Sequence, residues 1–121
     1  MKMPSTALLL SLLSAAALPP AQAQQAARIV VPFAAGGGTD QYVRLLAAEL
    51  NKRGMQIIVD NKPGASGIVA ADFVARSRPD GQTILMSSLG ILANNTVIYD
   101  KLPYDPQKDF APVTQIAYQP S

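Results

Sequence analysis

The chain has 121 residues, of which 10 are basic and 8 acidic, so its formal net charge is +2. Because it has no His and no Cys, Ser-His-Asp and Cys-His catalysis, ordinary zinc, iron–sulfur and haem sites, and disulfides are excluded. Scattered Lys and Arg residues do not make the basic patch that nucleic-acid binding requires. The length allows one domain at most, and we expect it to be non-enzymatic, without cofactor or metal, and with no nucleic-acid partner.

Residues 1–23 have the pattern of a cleavable export signal. Lys2 supplies the positive start, residues 7–18 (ALLLSLLSAAAL) are apolar, and Ala21-Gln22-Ala23 has the small-x-small pattern that signal peptidase cleaves. The apolar run is shorter than the roughly 20 residues that span a bilayer. We therefore predict cleavage after Ala23; a retained membrane anchor is the alternative.

The rest of the chain reads as a strand–loop–helix unit used twice and then begun again. Residues 28–33 predict a buried strand, followed by a turn and a helix that Thr39 or Asp40 caps and that runs to about Lys52. Its apolar face consists of Val43, Leu46, Ala47 and Leu50.

The second unit is a strand over residues 56–60, a turn over 61–67 and a helix that Ser66 or Gly67 opens and that runs to about Arg76. We expect its inward face to consist of Val69, Ala70, Phe73 and Val74. Residues 83–87 predict a third strand, residues 93–99 a short helix, and residues 102–112 an extended Pro-rich segment. Residues 113–117 could form a fourth strand.

This alternation predicts an α/β fold with a parallel sheet and right-handed crossovers. We expect the strand order second–first–third, with the reversal between strands one and three. Parallel strands end at one edge, and open sheets of this class bind ligands there. Three glycines in residues 33–40 (FAAGGGTD) let backbone amides approach a ligand at a helix start, where a carboxylate could bind. A plain tight turn is the alternative.

Two further loops reach the same edge. Residues 61–67 (NKPGASG) repeat the small-residue turn before a helix, and Ser87 and Ser88 offer hydroxyl groups. Ser66 has no His to activate it and lacks the second Gly of a nucleophile elbow, so we expect a cap or a ligand donor rather than a nucleophile. Asp40 is either a helix cap or the group that receives a ligand's ammonium.

Four stretches together resemble the Bug family, the periplasmic solute-binding receptors of tripartite tricarboxylate transporters. They are IVVPFAAGGGTD (29–40), NKPGASG (61–67), DGQTILM (80–86) and KLPYDPQKDFAPV (101–113). The resemblance implies a two-lobed, type II-like Venus-flytrap fold, periplasmic location and permease subunits as partners. The implied ligand is a small carboxylate, namely a di- or tricarboxylate, an amino acid or an aromatic acid. The ligand-binding positions that it implies are Phe33, Ala35, Gly36, Gly37, Asp40, Gly64, Ala65, Ser66, Gly67, Ser87 and Ser88.

The chain departs from the family in its loops and its length. The family's usual Pro-Gly-Gly is Ala35-Gly36-Gly37 here, and Ser66 replaces a glycine of its Gly-Ala-Gly-Gly. Family members are well over twice as long, so we expect residues 24–121 to be an incomplete N-terminal lobe that binds weakly or not at all alone. The alternatives are an exported lobe that acts in signalling, a non-functional truncated product, and an exported hydrolase.

Overall fold

The computed structural model describes residues 25–118, so the predicted export signal lies outside the described residues. A 3-10 turn (Ala65–Gly67) precedes the second helix, and a π-helical turn (Gly90–Asn94) leads into the third. The regular elements are β1 (Ala27–Val31), α1 (Gly38–Lys52), β2 (Ile57–Asn61), α2 (Ile68–Ala75), β3 (Thr83–Leu85) and α3 (Asn95–Ile98).

The three strands form one parallel sheet in the order β2-β1-β3, which confirms the predicted α/β class and strand order. In register, Ile29 of the central strand lies between Val59 and Ile84. Val30 and Val31 are completely buried, as the continuous apolar run of β1 predicts for a strand covered on both faces. All three strands end at the same edge of the sheet.

Helix α1 covers one face of this sheet. Val43 and Ala47 pack with Ile29, Val31 and Ile57 in a single core cluster, and burying a Val or Ile side chain contributes about 1.5–3 kcal/mol. The predicted apolar face is therefore confirmed, with Leu46 and Leu50 half-buried at its margin. The helix ends before Gly54, whose positive φ of 87° lets its amide donate back to the carbonyl of Asn51.

Helix α2 belongs to a second cluster, in which Ala71, Ile91 and Tyr104 are buried. The prediction of its inward face was partly wrong, since Val69 is 47% exposed and Phe73 is 37% exposed. Ala70 of the predicted face is buried, as is Ala71 beside it, and these small side chains let the helix backbone lie close to its neighbours.

The last third of the described chain has little regular structure. The predicted short helix is present as the π-helical turn and α3, whereas β3 ends at Leu85 rather than at residue 87. Residues 113–117 do not form the predicted strand, and Val113 is 76% exposed. A strand needs a neighbour's backbone, and no strand within residues 25–118 pairs with this segment. No helix in that range is long and apolar enough to cross a membrane.

Candidate ligand-binding edge

The carboxyl edge of the sheet brings three loops together. The first loop (residues 33–37) joins β1 to α1, the second loop (residues 62–67) joins β2 to α2, and the third loop (residues 86–89) follows β3. The predicted site residues lie on these loops or in the first turn of α1. Within residues 25–118, no group of three or more His, Cys, Asp or Glu side chains could hold a metal ion.

The first loop ends at a helix start without a side-chain cap. Gly37 is the N-cap of α1, and no described side chain bonds there, so the prediction that Thr39 or Asp40 caps the helix was wrong. Asp40 lies in the first turn of α1, and its carboxylate accepts a hydrogen bond from the amide of Gly36 at 2.8 Å. The amides of Gly38 and Thr39 donate to no acceptor within residues 25–118. Such amides, at the positive end of a helix, favour an anion.

Asp40 is a buried carboxylate with three protein donors. Only 2% of the residue is exposed. Its Oδ2 accepts hydrogen bonds from the Gly36 amide at 2.8 Å and from Arg44 Nε at 2.9 Å, while its Oδ1 accepts one from Asn61 Nδ2 at 2.8 Å. Chiefly the Arg44 hydrogen bond, and then those from Gly36 and Asn61, lower the pKa of Asp40 to about 2.

Those bonds define what Asp40 does in this structure. Its charge is satisfied inside the protein, where it fixes the path of the first loop and occupies the amide of Gly36. To bind Asp40 as hypothesised, a ligand's ammonium group would have to reach a carboxylate that is buried and already bonded to protein donors. Of the other first-loop positions, Phe33, Ala35 and Gly37 are exposed.

Asn61, the last residue of β2, joins the first loop to the second unit. Its Nδ2 donates to the Phe33 carbonyl at 3.1 Å as well as to Asp40, and its Oδ1 accepts from Arg44 Nη2 at 3.0 Å. Neither Asn61 nor Arg44 was among the predicted site residues. Two signals were available, since Asn61 opens the NKPGASG motif and Arg44 lies four residues after Asp40 on the helix.

The second loop is built from left-handed backbone. Gly64, Ala65, Ser66 and Gly67 all have positive φ, at 134°, 45°, 55° and 85°. Positive φ costs a residue with a Cβ roughly 1–2 kcal/mol, and such strain is concentrated at functional sites. The helical segment after the third loop supports this turn: the buried Asn95 donates to the Ser66 carbonyl at 3.1 Å, and the Ser66 and Tyr99 hydroxyls lie 3.2 Å apart.

Gly67 is the N-cap of α2 and is buried. A Cβ at this position would lie 2.5 Å from Cδ1 of Ile91, so the close approach of the loop to the π-helical turn requires glycine. No described side chain caps α2. The Ser66 hydroxyl therefore does not act as the cap that was one of its two predicted roles.

The third loop contributes hydroxyl groups at the same edge. The Ser87 hydroxyl is buried and has no hydrogen-bond partner among the described residues. An unpaired buried hydroxyl costs about 1–3 kcal/mol, and a ligand or water that bonded to it would remove that cost. Ser88 is exposed, and its carbonyl accepts the amides of Ile91 and Leu92, both at 3.1 Å.

Comparison with known proteins shows which family this chain resembles. Residues 42–121 match the family model described as the tripartite tricarboxylate transporter family receptor. A UPF0065 protein of Bordetella bronchiseptica is 40% identical over 120 residues, which cover 95% of this chain and 36% of that protein. Protein BugT of Bordetella pertussis is 36% identical over 95 residues, covering 77% of this chain and 29% of its own length.

Solved structures agree with these relatives. MatC from Rhodopseudomonas palustris with bound malate is 44% identical with a TM-score of 0.67, over 73% of this chain and 30% of that one. An R. palustris protein with adipate is 41% identical with a TM-score of 0.63, and the match covers 68% of this chain and 28% of that one. The periplasmic binding protein BugD is 39% identical with a TM-score of 0.64, and the match covers 69% of this chain and 28% of BugD. The chain thus spans about a third of the length of the proteins it matches.

Proposed function

This chain belongs to the receptor family of tripartite tricarboxylate transporters, and from that membership we propose that it is part of a periplasmic solute-binding receptor. The receptor captures a small carboxylate and delivers it to permease subunits in the membrane. The family is one of transporter receptors, which agrees with the prediction that the chain is not an enzyme. Relatives solved with malate and with adipate support a carboxylate as the ligand.

The observation that carries the proposal is the start of α1 at the carboxyl edge of the sheet, where the amides of Gly38 and Thr39 donate to no acceptor within residues 25–118. Gly67, the N-cap of α2, lies at the same edge, and its amide donates to the Gly64 carbonyl at 3.0 Å. Backbone amides at a helix start bind anions through both hydrogen bonds and the helix dipole. Each hydrogen bond to a charged group contributes about 1.5–3 kcal/mol, so a carboxylate could be held without an Arg.

Within the proposed site, the predicted residues divide into two groups. Direct contact falls to exposed backbone and to the hydroxyls of the third loop, at Phe33, Ala35, Gly37, Gly64, Ala65, Ser66, Ser87 and Ser88. Three others support these groups from behind: Asp40 and Gly36 bond to each other, and Gly67 packs against Ile91.

Binding to this chain alone should be weak. If the two lobes of a family-length receptor share the binding energy equally, a micromolar site (about −8 kcal/mol) becomes a millimolar one (about −4 kcal/mol). Chemical-shift titration by NMR detects binding in that range and reports each amide separately. We therefore expect malate at millimolar concentrations to shift the amides of Ala34, Ala35, Gly38 and Thr39.

The neutral diamide of malate provides the control, since it has the same carbon skeleton without the charges. It should leave those amides unshifted, as malate should leave Gly54 and Gly81 at the far end of the sheet. Adipate is the second probe, because it keeps two carboxylates on a longer chain. The proposal fails if neither dicarboxylate shifts the first-loop amides, or if the diamide shifts them equally.

Export is the second part of the proposal. The residues before β1 carry the signal pattern that ends at Ala23, and the relatives include a periplasmic binding protein. We expect protein recovered from the periplasm of the native host to begin at Gln24. Intact-mass measurement with N-terminal sequencing checks this, and a periplasmic species that still carries Met1 would contradict cleavage.

A further inference from the structure

Asn61 uses every polar group of its side chain at the junction of three elements. Its Nδ2 donates to the Phe33 carbonyl of the first loop at 3.1 Å and to Asp40 Oδ1 at 2.8 Å. Its Oδ1 accepts from Arg44 Nη2 at 3.0 Å. One side chain on the last residue of β2 thus ties down both the first loop and the first turns of α1.

The bond to Phe33 has a consequence for the next amide. The described chain has no cis peptide bonds, and in a trans peptide the carbonyl and the following N–H point in opposite directions. With its carbonyl held by Asn61, the Phe33–Ala34 peptide directs the Ala34 amide away from Asn61. Ala34 is exposed, and its amide donates to no acceptor within residues 25–118.

We propose that Asn61 is a positioning residue for ligand binding, which holds the Phe33–Ala34 peptide so that the Ala34 amide faces the ligand. This inference rests on the proposed function, because it assigns the first loop to a bound carboxylate. Asn61 itself makes no contact with the ligand. Its effect on affinity comes from the orientation of a main-chain donor that would otherwise rotate freely in an exposed, glycine-rich loop.

Two variants separate the Phe33 bond from the rest of the cluster. Asn61→Ala removes all three hydrogen bonds. The double exchange Asp40→Asn with Asn61→Asp keeps one carboxylate, one amide and the two acceptors for Arg44, while the new amide can donate to the new carboxylate. What the exchange cannot restore is a donor for the Phe33 carbonyl, because a carboxylate only accepts.

Asn51 offers a matched control at the opposite edge of the same sheet. Its Oδ1 accepts from the amide of Ile57 at 2.7 Å, and its Nδ2 donates to the Ile57 carbonyl at 3.3 Å. Asn51→Ala therefore removes an asparagine that ties helix to strand in the same way, at the start of β2 rather than its end. It should reduce stability without altering the first loop.

The experiment is an NMR titration of the full chain and its variants with malate. Asn61→Ala and the double exchange should each raise the apparent Kd by about tenfold or more, since a lost or misaligned bond to a charged group has that effect. Asn51→Ala should bind as the parent does. A double exchange that binds malate with the parent's Kd would overturn the proposal.

A second readout does not depend on the ligand. In the ligand-free chain, a through-hydrogen-bond scalar coupling between Asn61 Nδ2 and the Phe33 carbonyl carbon reports the bond directly, without any variant. The Ala34 amide shift should also change in Asn61→Ala and stay constant in Asn51→Ala. If malate and adipate fail to bind the parent, the proposed function fails, whereas an absent coupling with an unchanged Ala34 shift refutes the role of Asn61.

Discussion

The two strand–loop–helix units hold the loop between strand and helix in place by different means. The first loop is held by charge: buried Asp40 gathers the Gly36 amide, Arg44 and Asn61 around one carboxylate. Its glycines are loosely surrounded, since a Cβ added at Gly36 would meet nothing within 4 Å. The second loop is held by backbone conformation and packing, with Gly67 pressed against Ile91.

Because of this difference, the two loops should tolerate different changes in pH, charge and side-chain size. A charge-held loop should respond to pH and to changes at its carboxylate, but should accept a small side chain in its turn. A packing-held loop should behave in the opposite way, because its energy depends on close contact and positive φ rather than on ionisation. Both loops lead into a helix at the same edge of the sheet, so one proposed site depends on two independent supports.

The largest expected effect is that of Gly67→Ala, which adds a Cβ in the packing-held loop. The new atom would lie 2.5 Å from Cδ1 and 2.6 Å from Cγ1 of buried Ile91, whose branched side chain has little freedom to move. Strain from the positive φ adds to this overlap. We expect a loss of about 2–4 kcal/mol in the free energy of unfolding, measured by urea denaturation.

Gly36→Ala is the matched control in the charge-held loop. Gly36 has nearly the same φ, 89° against 85° at Gly67, but open space around its Cβ. Only the conformational cost remains, and the stiffer unfolded chain offsets part of it, so we expect a loss of about 1 kcal/mol. Equal losses in the two variants would mean that the contact with Ile91 does not distinguish the loops.

The second test changes pH rather than sequence. The folded-state pKa of Asp40 is about 2, below the ordinary 3.8, chiefly because of the Arg44 hydrogen bond. The folded protein therefore binds this proton less readily than the unfolded chain does, and the resulting stability is fully present above about pH 4. It is lost as the pH falls from there towards 2.

Asp40→Asn should remove this component of the acid dependence. We expect the stability difference between parent and variant to shrink as the pH is lowered from 5 to about 2, measured as the urea midpoint at each pH. A carboxyl carbon titration of Asp40 by NMR gives its pKa directly. Second-loop amides should not follow that titration, and a pKa of Asp40 near 4 would show that the carboxylate does not hold the first loop.

Much of the fold follows from periodicity and turn residues. The apolar stripe with Val43 and Ala47 was correct because it recurs over about two turns of a 15-residue helix whose other positions are mostly polar or exposed. Val69 and Phe73 were placed wrongly because α2 has only eight residues, almost all apolar, so hydrophobicity cannot distinguish its faces. The small size of Ala70 and Ala71 decided which side lies inward.

The site was less predictable than the fold. Glycine-rich turns before helices identified loops that the sheet does bring to one edge, but the pattern left Asp40 as either a helix cap or the acceptor of a ligand's ammonium, and it did not indicate the bonds that Asp40 makes. Its partner Asn61 lies 21 residues away, and no local spacing joins them. Likewise Asn95 supports Ser66 across 29 residues. Such contacts form because the sheet brings together segments that are far apart in the sequence. A sequence pattern predicts which strands and helices come together, but not which of their side chains bond.

The smallest expected effect tests the strain in the second loop. Ser66 has a φ of 55°, and it replaces a glycine of the Gly-Ala-Gly-Gly pattern that is usual in the receptor family. Ser66→Gly should remove roughly 1–2 kcal/mol of left-handed strain against an unfolded-state cost of about 0.4–1 kcal/mol. The variant also loses the contact with the Tyr99 hydroxyl at 3.2 Å, which Tyr99→Phe removes alone. We expect Ser66→Gly to gain about 0.5 kcal/mol in urea denaturation relative to Tyr99→Phe. Because Tyr99→Phe already lacks the hydroxyl contact, a loss would show that the left-handed strain at Ser66 is smaller than the cost of the added freedom of glycine in the unfolded chain, and backbone conformation would then not distinguish the second loop from the first.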